Sequence, residues 1–244
     1  GVADEATLDP AEAAACADLL VLCTPISDMV DLTKRILPHL KPGAVITDVG
    51  STKQQLVAEL PPLCAEGAAH FVGSHPMAGS DQTGPGAARA DLFEDTVCVV
   101  TPTADTHADT LTKVNDFWSG LGSQPVVMPA DTHDRLVARC SHLPHLLASA
   151  LARRVLDNAH GQEQAKLCAT GFRDMTRLAA GSPPMWRDIV GSNRNDILAA
   201  IDEFADELGE LRGFVANDSP ELIEAWLQEA KAARDNWNNS AATD

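Results

Sequence analysis

Hydrophobic and polar positions alternate in two different ways along the chain, and the change falls near Pro129. Before that residue, short apolar runs are separated by longer amphipathic stretches, which is typical of a mainly parallel sheet covered by helices. The predicted strands are Leu19–Cys23, Ala44–Thr47, His70–Val72, Val97–Val100 and Pro125–Met128. The pattern therefore predicts an α/β domain over residues 1–129.

The second half of the chain has a helical pattern almost throughout. From Thr132 onward, apolar residues recur at steps of three and four. Asp218-Ser219-Pro220-Glu221 combines a capping residue, a proline and an acid, and predicts the start of a last helix that ends near Trp237. We therefore expect an all-helical domain over residues 130–244, of the kind through which two-domain enzymes often form homodimers.

Composition and charge narrow the classes of function. The chain has 244 residues and a formal net charge of −17, which disfavours a nucleic-acid partner because phosphate binding needs clustered lysine and arginine. There is no apolar run near the roughly 18 residues that would span a bilayer. Six scattered cysteines without CxxC pairs indicate a reduced, cytoplasmic protein with no disulfide frame or zinc site. We therefore expect a small-molecule substrate and no membrane partner.

Polar residues follow three predicted strands at the point where each strand ends. They are Thr24-Pro25, Asp48–Lys53 and the loop Gly73–Ser80. Ligands of open α/β sheets bind outside the carboxyl ends of the strands, so these loops predict one rim of a site. Within the third loop, His75 is a candidate general base or acid. The alternative is a structural histidine bonded to a loop carbonyl.

Two further groups stand in the helical half. His142 and His145 are three residues apart on either side of Pro144, which we expect to kink the helix. Metal binding by this pair is disfavoured because spacing supplies no third ligand, and we expect no metal.

Arg173 and Arg177 are four residues apart, on one helix face, and arginine binds carboxylates through two parallel donors. The alternative is that these arginines pair with a neighbouring acid such as Asp174 or Asp188.

Five blocks together resemble the prephenate/arogenate (cyclohexadienyl) dehydrogenase family. They are TDVGSTK (Thr47–Lys53), GSHPMAGS (Gly73–Ser80), SHLPH (Ser141–His145), GFRDMTRLA (Gly171–Ala179) and MWRDI (Met185–Ile189). The resemblance implies a Rossmann-type domain followed by a helical dimerisation domain. It also implies the oxidative decarboxylation of prephenate to 4-hydroxyphenylpyruvate, or of arogenate to tyrosine, with NAD or NADP as cofactor, in tyrosine biosynthesis.

The resemblance also implies roles for single residues. The family's histidine at the position of His75 binds the ring hydroxyl of the substrate and takes its proton as hydride leaves, and the serine at the position of Ser51 supports that contact. His145 would lie near the substrate together with His142, and Arg177 would bind a substrate carboxylate.

For the cofactor, Thr24, Pro25 and Asp48 would contact the nicotinamide half. The family's fold begins with a strand, a glycine-rich turn, a helix and a second strand, and none of these precedes Gly1. We therefore expect a partial Rossmann-type domain that binds the dinucleotide weakly, without the residue that distinguishes NAD from NADP. Asp81 is the nearest candidate for an acid that would favour arogenate over prephenate.

Two alternative functions, one enzymatic and one non-enzymatic, are also compatible with a Rossmann-type domain followed by helices. A β-hydroxyacid dehydrogenase would also pair a Rossmann-type domain with helices, but it relies on a lysine in the helical domain. Only Lys166 and Lys231 occur there, neither in a glycine-rich context. A non-enzymatic dimerisation module is the other alternative. The missing glycine loop favours it, whereas His75 and Arg177 argue against it.

Overall fold

A computed structural model describes residues 3–79 and 84–241 and divides the chain into two compact units, residues 1–197 and residues 198–244. The first unit holds all the strands that the structure describes and nine complete helices, so most of the predicted helical half packs with the sheet. The domain boundary at residue 129 stays a prediction. The second unit consists of the greater part of one long helix and the last helix.

The strands and helices alternate along the first half of the chain, as expected. The strands are β1 (Leu19–Leu22), β2 (Val45–Asp48), β3 (His70–Phe71), β4 (Gly73–Pro76), β5 (Val97–Thr101) and β6 (Gln124–Val127). The helices are α1 (Pro10–Cys16), α2 (Ile26–Ile36), α3 (Gln54–Glu66), α4 (Ala108–Gly120), α5 (Ala130–Val137), α6 (Leu143–Leu156), α7 (Gly161–Leu167), α8 (Thr170–Thr176), α9 (Pro183–Ser192), α10 (Arg194–Ala216) and α11 (Pro220–Ala241). The last helix extends four residues beyond the predicted end at Trp237.

The strands form two three-stranded ladders. β1, β2 and β3 are parallel and adjacent in that order, and β5 lies between antiparallel β4 and parallel β6. The amide of Ser74 in β4 donates to the carboxylate of Asp48 in β2, which joins the two ladders at the site. The sequence placed Gly73–Ser80 in a loop. That placement is wrong for Gly73–Pro76, because these residues pair with β5 as a strand.

Two clusters of buried apolar residues join the helices to the strands. Met29 and Ile36 of α2 and Leu56 and Leu60 of α3 are buried in one core cluster. The opposite cluster contains Trp118 of α4, and its indole nitrogen donates to Oγ of Ser74 at 3.0 Å. This hydrogen bond ties β4 to α4, in addition to the pairing of β4 with β5.

The helix around Pro144 continues through the proline but changes its hydrogen-bonding pattern just before it. Residues Ala138–His142 form a π turn between α5 and α6, and Pro144 lies in the first turn of α6. A proline in a first turn removes no helical hydrogen bond, and a single π turn shifts the residues that follow it around the helix axis. The irregularity that the structure shows there is a π turn that contains His142, and the expected kink at Pro144 stays a prediction. No helix among the described residues is long and apolar enough to cross a membrane.

Candidate active site

The carboxylate of Asp48 lies inside the protein at the end of β2. It has no exposed surface, and it accepts hydrogen bonds from the backbone amides of Gly50 at 2.8 Å and Ser74 at 3.0 Å. A Cβ at Gly50 would lie 2.9 Å from this carboxylate, so glycine is what allows the close approach. The enclosed carboxylate organises this loop, and the expected contact of Asp48 with the cofactor stays a prediction.

Lys53 lies opposite Asp48 and is also fully buried. Its Nζ forms an ion pair with Asp48 and donates to the carbonyl of Ser74 at 2.8 Å. Burial lowers the pKa of Lys53, and the Asp48 charge opposes that shift. The pair ties the loop after β2 to β4, the strand that carries His75.

His75 projects from β4 and is 8% exposed. Its Nδ1 lies 2.8 Å from Nε2 of His133 in α5, and the rings meet edge to face. Burial holds the pKa of His75 well below 6.5, and the nearby Lys53, His133 and His142 lower it further. His75 is therefore neutral near pH 7, the protonation state that a general base requires.

Asp134 stands behind His133 and is also fully buried. Its Oδ1 lies 2.7 Å from Nδ1 of His133 and accepts the backbone amide of Lys53 at 2.8 Å. Its Oδ2 accepts the backbone amide of Gln54 at 2.9 Å. These amides belong to the N-cap residue and to the first residue of α3. The N-cap side chain forms no capping hydrogen bond, so Asp134 of α5 caps α3 instead.

His142 lies on the other side of Asp134 and is 1% exposed. Asn193 connects them, because its Nδ2 donates to the Asp134 carbonyl at 2.8 Å and lies 3.2 Å from Nδ1 of His142. Nε2 of His142 is buried and has no hydrogen-bond partner. Burial lowers the pKa of His142 to about 4, so this ring is also neutral near pH 7.

His145 is stacked on Trp186, with ring centroids 3.5 Å apart and planes 9° from parallel. The same indole lies edge-on to His142 at 6.0 Å. A Cβ at Gly181 would come within 2.8 Å of both stacked rings, so only glycine fits there. Burial lowers the pKa of His145. The structure thus brings His142 and His145 together on Trp186.

The predicted arginines are positioned differently. Arg173 is in the last turn of α8, and Arg177 begins a 3-10 turn that packs on α6, so the expected single helical face is interrupted. Both are exposed, and neither forms an ion pair with the described residues. Asp188 instead pairs with Arg187 and accepts from the hydroxyl of Ser27 at 2.9 Å.

A cleft of about 500 Å3 lies between the ends of β1 and β2 and helix α9. It is lined by Thr24, Pro25 and Ser51 on the sheet side and by Met185 and Arg187 on the helical side. Oγ1 of Thr24 is buried without a partner, which leaves a polar group available to a ligand. The cleft therefore unites three of the residues that the sequence singled out.

Several residues of this site did not emerge from the sequence. His133, Asp134 and Asn193 lie outside every quoted motif, although His133-Asp134 precede SHLPH by about two helical turns. The signal that could have pointed to the first two is an adjacent histidine and acid shortly before SHLPH, whereas no local signal marks Asn193. Ser80 and Asp81 lie outside the described residues. Among the residues that are described, no group of three or more His, Cys, Asp or Glu is arranged to hold a metal ion.

Two family models match the chain. The model of the prephenate dehydrogenase nucleotide-binding domain matches residues 1–127, and that of the prephenate dehydrogenase dimerization domain matches residues 129–229. Among curated relatives, the cyclohexadienyl dehydrogenase of Zymomonas mobilis is 33% identical over 95% of this chain and 79% of its own length. The prephenate dehydrogenase of Bacillus subtilis is also 33% identical, over 88% of this chain and 58% of its own length.

A solved structure is similar over nearly the whole chain. The prephenate dehydrogenase of Aquifex aeolicus, in complex with hydroxyphenyl propionate and NAD+, has a TM-score of 0.90 at 30% identity. The match covers 97% of this chain and 82% of that one. The likeness confirms the fold class expected from the sequence, a Rossmann-type domain with mainly parallel strands followed by helices.

Proposed function

Since this chain belongs to the prephenate dehydrogenase family, we propose that it catalyses the NAD(P)-dependent oxidative decarboxylation of prephenate to 4-hydroxyphenylpyruvate, or of arogenate to tyrosine. The observation that carries the proposal is a neutral, buried His75 held by His133 and Asp134 at the carboxyl ends of the strands. A neutral base at the end of a sheet suits the removal of a hydroxyl proton.

His75 accepts the proton of the substrate's ring hydroxyl while the hydride leaves the carbon that carries this hydroxyl. A bound nicotinamide cofactor would supply the acceptor for that hydride. The ring carboxylate then departs as CO2, and its bonding electrons make the ring aromatic. The proton on His75 returns to the phenolate oxygen, so no net proton is consumed.

The cleft at the carboxyl ends of β1 and β2 fits the nicotinamide half of the cofactor. The unpartnered Oγ1 of Thr24 supplies a hydrogen-bonding group there, and Pro25 and the backbone of Gly50 leave room for a flat ring. Ser51 borders the same cleft and supports the substrate hydroxyl contact. Asp48 acts beneath this surface by holding Gly50 and Lys53 in place.

On the helical side, His142, His145 and Arg177 bind the substrate. His142 offers an unpartnered ring nitrogen, and His145 presents a ring already fixed against Trp186. Arg177 is exposed and unpaired within the described residues, which leaves its guanidinium available to a carboxylate.

We assign residues 130–244 to a dimerisation domain, through which two copies of the chain would associate. In the second compact unit, Leu208, Val215, Leu222 and Leu227 are each about half exposed or more. Large apolar residues exposed along paired helices are typical of subunit interfaces. We infer a homodimer, and light scattering of the purified protein should give twice the monomer mass. A cytoplasmic location is part of this proposal and rests on the cysteine pattern.

The assay that tests the proposal compares four combinations, prephenate or arogenate with NAD+ or NADP+, on the complete gene product. Formation of reduced cofactor with stoichiometric CO2 in at least one combination is expected. Turnover of 3-hydroxy acids instead would identify a β-hydroxyacid dehydrogenase. Absence of turnover in all combinations by a folded, dimeric protein would favour the non-enzymatic module.

A further inference from the structure

Hydrogen-bond partners assign a tautomer to His75. The carboxylate of Asp134 faces two obligate donors, the amides of Lys53 and Gln54, so its oxygens accept. Nδ1 of His133 then donates to this carboxylate, and when the ring carries this single proton its Nε2 can only accept. Nδ1 of His75 therefore carries a proton, and Nε2 of neutral His75 carries a lone pair. Nε2 makes no hydrogen bond to the described residues.

The same reasoning gives the opposite result for His142. A backbone carbonyl can only accept, so the atom of Asn193 that contacts the Asp134 carbonyl is its NH2 group. That NH2 group donates its second proton to Nδ1 of His142. Neutral His142 consequently carries its proton on Nε2, the buried nitrogen that has no partner.

We propose that Asp134 is a positioning residue that fixes the two histidines in opposite tautomers, with Nε2 of His75 a proton acceptor and Nε2 of His142 a hydrogen-bond donor. The carboxylate of Asp134 acts on His75 through His133, and its carbonyl acts on His142 through Asn193. The catalytic meaning rests on the proposed function, because the acceptor takes the hydroxyl proton and the donor binds an oxygen of the substrate. The assignment of tautomers itself does not depend on any activity.

The titratable groups around His75 act together with this network. Burial and the charge of Lys53, from the loop before α3, disfavour a positive charge on His75, and His133 of α5 and His142 of the π turn are the other titratable rings nearby. Cys98 of β5 contacts the backbone of His75. Burial and Lys53 already keep the His75 ring uncharged. Asp134 therefore determines which of the two neutral tautomers of His75 forms.

Nitrogen-15 chemical shifts of the histidine rings test the proposal in the complete gene product near neutral pH. Wild type should show His75 protonated on Nδ1 and His142 on Nε2. Asp134→Asn removes the carboxylate but keeps the backbone carbonyl, so His75 should gain the Nε2-protonated form while His142 stays unchanged. The matched control, Asn193→Leu, should release His142 and leave His75 unchanged. Wild-type His75 protonated on Nε2, or an Asp134→Asn variant with an unchanged His75, would overturn the proposal.

Asp134 also caps α3, so its replacement could impair folding. A second pair of variants therefore changes His133 and leaves this cap intact. The amide oxygen of His133→Gln can accept from Nδ1 of His75, whereas His133→Leu cannot, so Gln should keep the His75 tautomer and at least about tenfold more kcat than Leu. Equal tautomers and equal kcat in the two variants would overturn the proposal.

The activity measurements separate this proposal from the proposed function. For Asp134→Asn, kcat should fall about tenfold or more while KM stays within about threefold. A wild-type protein that turns over neither substrate would contradict the proposed function, and the ring shifts would still decide the tautomers.

Discussion

The two sides of the candidate active site differ in how their polar groups are satisfied. On the sheet side, the charged groups of Asp48 and Lys53 are paired within the protein, as is the Asp134 carboxylate of α5, whereas Oγ1 of Thr24 has no partner. On the helical side, Nε2 of His142 is buried without a partner and Arg177 is exposed. Groups that are fixed before a ligand arrives suit catalysis, and groups without partners suit recognition. We therefore propose that the chemistry is organised on the first side and substrate binding on the second.

Removing the base on the sheet side should have the largest effect. We expect His75→Asn to lower kcat by about 10²–10⁴-fold with little change in KM, because a general base contributes about that much. The measurement is steady-state kinetics on the complete gene product, with thermal unfolding as the control for folding. A kcat within about threefold of wild type would assign His75 a structural role.

Breaking the buried ion pair should affect stability more than binding. Asp48→Asn leaves the Lys53 ammonium enclosed without its counter-charge, and the loss of one partner of a buried pair costs about 3–5 kcal/mol. Urea unfolding of the purified variant measures this cost. Asp31→Asn is the matched control, because its ion pair with Lys34 is exposed and contributes under about 1 kcal/mol. Equal effects of the two changes would contradict the contrast between buried and exposed pairs.

Removing the exposed arginine on the helical side should affect recognition alone. Loss of a hydrogen bond to a charged group costs about 1.5–3 kcal/mol, so Arg177→Ala should raise KM about 10- to 100-fold with stability unchanged. Arg173→Ala, four residues earlier and also exposed, is the control and should leave KM near wild type. A drop in unfolding free energy without a change in KM would make Arg177 structural.

The smallest expected effect is on the pH dependence of stability. The pKa of His142 falls from 6.5 to about 4 on folding, so between these values the unfolded chain binds more protons. The free energy of unfolding should therefore decrease as the pH falls from about 7 to about 5, and His142 contributes about 1–2 kcal/mol of that decrease. Urea unfolding at several pH values should show a shallower slope for His142→Asn. An unchanged slope would mean that His142 is not held neutral by burial.

The sequence by itself determined the order of elements and most of the candidate site. Apolar runs ended by polar loops located the five predicted strands within one or two residues, because a buried parallel strand has no polar face to obscure its ends. Motif resemblance singled out His75, Ser51, His142 and His145. The structure places Ser51 on the cleft, His75 against His133, and both His142 and His145 against Trp186, and their roles stay predictions.

Only the tertiary structure decided which of these groups are enclosed and what they are paired with. No local pattern shows that Asp48 lies under Gly50, or that Asp134 of one helix caps another and orients two histidines. Nor does spacing reveal the π turn that brings His142 toward Trp186. Burial and hydrogen bonding depend on residues 50 to 140 positions apart in the chain. Such contacts exist only after the helices pack on the sheet, which is why the sequence identifies the reacting groups but the fold sets their protonation.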